Sequence, residues 1–156
     1  MDHALATDVR EILVRDLQAL AEEVAQTPEE HLWEKLEGMP NPVGTLAWHL
    51  CGNLRHFVGA GLGADGYLRS RDAEFSLRGL GRQDLLDEIE ATRRAVDAAL
   101  RDLPAERLAE PMPITPPQHE GRTVGFFLVQ LCCHLSRHRG QLNAVRRALA
   151  ARQPVA

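Results

Sequence analysis

What this 156-residue chain lacks narrows what it can do. No apolar run is long enough to cross a bilayer. The longest, around Val124 to Cys133, is interrupted by Gly125 and Gln130 and falls short of the ~20 residues a spanning helix needs. The opening Met1-Asp2-His3-Ala4 has no basic start leading into an apolar core, so no signal peptide is expected and cytoplasmic location is the default. Positive charge is not in excess: 18 Lys and Arg face 22 Asp and Glu, for a formal charge of −4. A nucleic-acid-binding surface needs clustered cations, so such a role is disfavoured. Arg93-Arg94 and Arg146-Arg147 alternate with acids or close a helix, where cations suit the dipole. The cysteines are three, an odd number, and Cys51, Cys132 and Cys133 all sit in apolar helical stretches. They read as reduced, buried small residues rather than bridges. The Gly-rich stretch 59–66 is no phosphate loop, because no strand precedes it and no Gly-Lys-Ser/Thr follows.

What remains is helical. Apolar content of 44% suffices for one well-buried core, and without repeats or a linker, residues 1–156 are expected to form a single domain. The first helix runs from Ala4 to Ala25, with Val9, Ile12, Leu13, Leu17, Leu20, Ala21 and Val24 at three-and-four spacing. Thr27-Pro28-Glu29-Glu30 reads as an N-cap, a first-turn proline and a capping-box acid, opening a short helix through about Leu36. A connector, Gly38 to Pro42, leads into a second long helix from about Val43 to Ala60. The third runs from Gln83 to Leu103 and the last from Gly125 to Leu149, capped by Thr123. Two long connections separate these helices. Tyr67 to Gly81 carries Arg69, Arg71, Asp72, Glu74 and Arg78, and such a segment is usually functional or covers something. Pro104 to Arg122 holds five prolines, with an edge hairpin around Gln118-His119-Glu120-Gly121. His31 and His119 read as exposed.

The chemistry centres on the last helix. His134 and His138 are four residues apart, hence on one face with a rise of roughly 6 Å, and can reach one metal ion. The alternative is that both are partly exposed residues in an Arg-rich turn. Phe127, Gln130, Leu131, Gln141, Leu142 and Val145 share their stripe, which is apolar at its ends and polar in the middle. Buried polar groups need partners. His49, inside the apolar second helix, offers a third imidazole. Three imidazoles from two packed helices would leave coordination positions open, as catalytic sites do. His56, two turns on and roughly 10 Å away along the axis, is the rival first ligand. Cys133 adjoins His134 but points about 100° away. Such a donor set suits zinc first, by availability, and nickel second, with copper and iron also compatible. Asn53, Gln130 and Gln141 are placed to support the ligands or touch substrate, or simply to hydrogen-bond across helices. Arg71 with Asp72 and Glu74 forms either a rim for substrate or an ion pair that orders the loop. No protein nucleophile can be assembled: Ser136 lies about 200° around the helix from His134.

Three elements in order resemble the DinB / YfiT-like superfamily of metal-binding helix bundles. They are His49-Leu50-Cys51-Gly52-Asn53, the element Arg71-Asp72-Ala73-Glu74-Phe75, and His134-Leu135-Ser136-Arg137-His138-Arg139-Gly140-Gln141. The resemblance implies an all-α four-helix bundle with overhand connections after helices 2 and 3. It favours His49 over His56 and implies a metal centre of His49, His134 and His138. It also implies a homodimer, which exposed Val58, Ala60, Leu62 and Leu68 would suit. The function it implies is transfer of a low-molecular-weight thiol to an electrophile in detoxification or stress response. Hydrolysis is the alternative reaction, and a non-catalytic stress-associated metal-binding dimer the alternative role.

Overall fold

The computed structural model describes residues 2–152, with side chains from residue 5 onward. About 70% of it is helical, and no strand forms among the described residues. Five α-helices are present: α1 (Asp2–Ala25), α2 (Val43–Leu54), α3 (Arg71–Ser76), α4 (Arg82–Arg101) and α5 (Val124–Ala150). The four long ones make the bundle. α1 packs against α4 and α5, and α2 packs against the same two. The first two helices therefore sit across a diagonal, although they are consecutive in the chain. α4 and α5 sit across the other diagonal, so the connections that cross the bundle are those between α1 and α2 and between α4 and α5, while the long connection after α2 joins neighbouring helices.

The apolar stripes meet in one cluster. Val9, Leu13, Leu17, Leu20 and Val24 of α1 face Leu85, Ile89, Val96 and Leu100 of α4, all buried. α2 is different, being buried on every side except at Trp48. A helix apolar all round belongs in the interior, and its polar residues Thr45, His49 and Asn53 go in with it. Beyond Leu54 the helix widens into a π-helical turn, Arg55–Ala60, carried by i→i+5 bonds from the Gly61 and Gly63 amides to the His56 and Val58 carbonyls.

Several expectations change. Thr27 does not cap a following helix; its hydroxyl donates back to the Glu23 carbonyl at 2.8 Å and ends α1. The short helix to Leu36 shrinks to a 3-10 turn, Glu29–His31. Beyond it Trp33 draws the chain away, its indole N–H donating to the Leu80 carbonyl at 2.8 Å and its ring lying against Gly44. Likewise the edge hairpin reduces to an isolated Pro111–Thr123 bridge, because Pro111 and Pro113 have no N–H to extend a ladder. Thr123 does cap α5, accepting from the Phe126 amide at 3.3 Å. Of the cysteines, only Cys51 is buried; Cys132 is half-buried and Cys133 exposed on the outer side of α5. The apolar surface expected to drive pairing is also broken up. Val58 is fully buried, Leu62 packs on the core, and only Leu68 stands out in solvent. No described helix is long and apolar enough to cross a membrane.

Candidate metal centre

The structure brings His49, His134 and His138 together. α2 and α5 pack side by side, so a residue on the inner face of α2 meets a one-turn pair on α5. One nitrogen from each ring lies within 4.8 Å of the others, and among the described residues this is the one group able to hold an ion. His49 Nε2 and His134 Nε2 are 3.4 Å apart. Two nitrogens each about 2.1 Å from one tetrahedral ion would be about 3.4 Å apart, so the spacing fits a shared ion. His56, by contrast, points its ring at Phe57 and lies outside the group.

Tautomers support the same reading. His49 Nδ1 donates to Glu74 Oε2 at 2.8 Å, which turns the Nε2 lone pair towards the centre. His138 Nδ1 donates to Gln141 Oε1 at 2.6 Å with the same result. His134 has no such support: its Nδ1 is buried without a partner. Burial, and then the neighbouring His138 and His49, push its pKa down to about 3, so this imidazole stays neutral under ordinary conditions. Burial lowers His138 as well.

Glu74 is the organising acid, and its partner is Arg69 rather than Arg71. The Arg69 guanidinium forks onto both carboxylate oxygens, at 2.6 and 2.8 Å. Burial works to raise the pKa of Glu74, which is only 2% exposed, but the bonds from Arg69 and His49 outweigh it and hold it below the usual range. Reaching His49 brings this carboxylate hard against α2. A Cβ built on Gly52 would stand 2.2 Å from Glu74 Oε1, so the glycine of His-Leu-x-Gly-Asn is the space the acid occupies. Arg69 and Gly52 had no reading of this kind from the sequence. The signal available was an acid on a connection opposite a glycine one turn from a histidine.

A cavity of about 420 Å³ opens over the three histidines. Asn53, Gln130 and Arg71 line it, whereas Gln141 stands behind His138. His119 also lines it, half-buried against Phe126 and Phe127 instead of exposed; His31 is half-buried too, 3.8 Å from Glu34. The aromatic wall is Phe57, Phe75 and Phe127. Asn53, 8% exposed, leaves its Oδ1 without a partner at this wall.

A helix bundle with three converging imidazoles on facing helices, open to a cavity, offers a donor set that could hold a metal ion in its core. A family model described as the DinB superfamily matches residues 11–142, and the chain belongs to that superfamily. No curated protein and no solved structure matches it.

Proposed function

We propose that this chain is a metal-dependent enzyme that transfers a low-molecular-weight thiol to an electrophilic substrate, in detoxification or stress response. His49, His134 and His138 would hold the ion, zinc by first choice and nickel by second. One observation carries the reading: the three imidazoles face a cavity whose lining includes no cysteine, serine, threonine or acid. The nucleophile therefore comes from outside the protein. Glu74, the nearest carboxylate, is locked between Arg69 and His49 and cannot take a proton from water without breaking both contacts. A bound ion would supply the charge that keeps a thiol ionised near neutral pH. The protein's part is positioning: Glu74 and Gln141 fix two ligand rings, and Phe57, Phe75 and Phe127 exclude water. Hydrolysis is the second reading, favoured by His119, the one further acid–base group at the cavity.

The test is transfer of several thiols to 1-chloro-2,4-dinitrobenzene, before and after chelation. Transfer should vanish on metal removal and return with the matching ion. Activity that survives complete metal removal would defeat the proposal. Homodimerisation belongs to the same proposal; Phe126 and Val129, one turn apart and exposed on α5, support it. A monomeric mass by light scattering at micromolar concentration would remove that part.

A further inference from the structure

The chain is acidic overall, yet the cavity over the histidines is lined by three arginines and no carboxylate. Elsewhere arginines pair with acids, as in Arg10–Asp97, Arg55–Glu88 and Arg146–Glu23. Within the cavity Arg69 is paired with Glu74. Arg71 and Arg137 have no acid partner among the described residues. Arg71 only stacks on Phe75, 5.2 Å from the ring centre, and Arg137 lies within the ligand turn of α5, between His134 and His138, at the cavity. They come from two different walls, α3 and α5. Beside them Asn53, which also lines the cavity and is nine-tenths buried, keeps its amide oxygen buried without a partner.

Resting on the function proposed above, we propose that the cavity selects a substrate bearing a carboxylate, held by Arg71 and Arg137. A guanidinium presents a planar fork that matches the two oxygens of a carboxylate. In a cavity of this size the carboxylate and the reacting atom of a small molecule lie within a few bonds of each other. The aromatic wall takes the short apolar stretch between them. The carboxylate belongs either to the thiol or to the electrophile.

Binding to cobalt-substituted protein separates these cases, because a thiolate on cobalt adds an absorption band. The probes are 3-mercaptopropionate, 2-mercaptoethanol, succinate and inorganic phosphate. 3-Mercaptopropionate should bind about tenfold or more tightly than 2-mercaptoethanol, the scale of a charge-assisted hydrogen bond. That preference should collapse in Arg71→Gln/Arg137→Gln and persist in Arg78→Gln, whose guanidinium stacks on Trp33 away from the cavity. If the two thiols bind alike but succinate binds thiol-loaded protein in an arginine-dependent way, the carboxylate belongs to the electrophile, and the inference holds. Arginine-dependent succinate binding with no cobalt–thiolate band for any thiol would sink thiol transfer while leaving carboxylate selection standing. The inference is overturned if neither carboxylate probe depends on the arginines, since the ion alone then attracts the anion. Phosphate binding tighter than succinate would overturn the choice of carboxylate. Metal content and circular dichroism of each variant confirm that only the cavity has changed.

Discussion

The two diagonal helices of this bundle are built on opposite plans. α1 keeps most of its charges outside, where Arg10 reaches Asp97 of α4 at 2.6 Å, and its inner face is apolar; the one buried charge among its described residues, Asp16, is paired with Arg15 and Arg139. α2 has hardly any outside, and carries Thr45, His49 and Asn53 into the interior. The α1 side is therefore held mainly by apolar burial, while α2 takes polar groups inside, of which His49 finds partners on α3 and α5. Stability and chemistry are divided between the two helices of this diagonal, and the division can be tested.

The largest contrast is metal content. His138→Ala should take the protein from about one divalent ion per chain to none with helical content intact, whereas His56→Ala and His119→Ala leave the content unchanged. Leu17→Ala, in the apolar half, should instead keep the ion and cost about 2–5 kcal/mol of stability. Elemental analysis together with denaturant titration reads both. Loss of metal in His56→Ala but not in His49→Ala would reverse the choice of first ligand.

Thiol labelling compares the inside of α2 with the outside of α5. Burial pushes the Cys51 thiol up to about 12 and Cys132 up to about 11, so at pH 8 both are almost wholly protonated. The thiolate is the reactive form, hence iodoacetamide should modify exposed Cys133 first and Cys51 only on unfolding. Rapid native labelling of Cys51, seen by mass spectrometry, would mean that the α2 interior opens.

A pair of glycines gives a subtler contrast. Gly52→Ala should displace Glu74 from His49 and weaken metal affinity about 10–100-fold, as loss of a group that orients a ligand does. Glu74→Gln should act in the same direction. Gly140→Ala, also helical but with open space around its Cβ, should keep the ion and stabilise by about 0.5–1 kcal/mol. Equal effects of the two alanines on metal affinity would remove the steric account of Gly52.

The smallest effect belongs to the outer charges. Hydrogen bonding from Arg101, with Arg10 beside it, holds the Asp97 carboxyl below its ordinary value of 3.8 against the opposing effect of burial. A depressed folded pKa contributes stability that is present above the unfolded value and is lost as pH falls through the folded one. Asp97→Asn should therefore flatten the acid limb of stability slightly and leave neutral-pH metal binding alone. An unchanged acid limb would show that this surface pair contributes nothing measurable.

How much could be read in advance follows the same division. α1 and α4 were legible because their inner and outer faces alternate at the helical period; Val9 to Val24 needs no tertiary information. α2 was legible in extent, but Val58 was misread as surface, since a helix buried all round shows no polar face to mark its orientation. The π-helical turn left no local signature. The three histidines were legible as a set by spacing and order, whereas the Arg69–Glu74–His49 chain depends on where a connection lands. That landing is decided by space at Gly52, a property of two elements and not of either alone. His119 was misread for a related reason: a polar turn beside prolines looks exposed until it is folded over a cavity.

The separation of His49 and His134 along the chain, 85 residues, has a consequence for how the protein comes apart. An ion bound by both would tie the second helix to the last and enclose both long connections and all of α4 in one loop. Such a tie acts as a removable cross-link, restricting the unfolded chain as well as strengthening the folded one. A chelator would then act partly as a denaturant. Melting temperature would rise with free metal concentration, and any motion that parts α2 from α5 would have to give up the ion first.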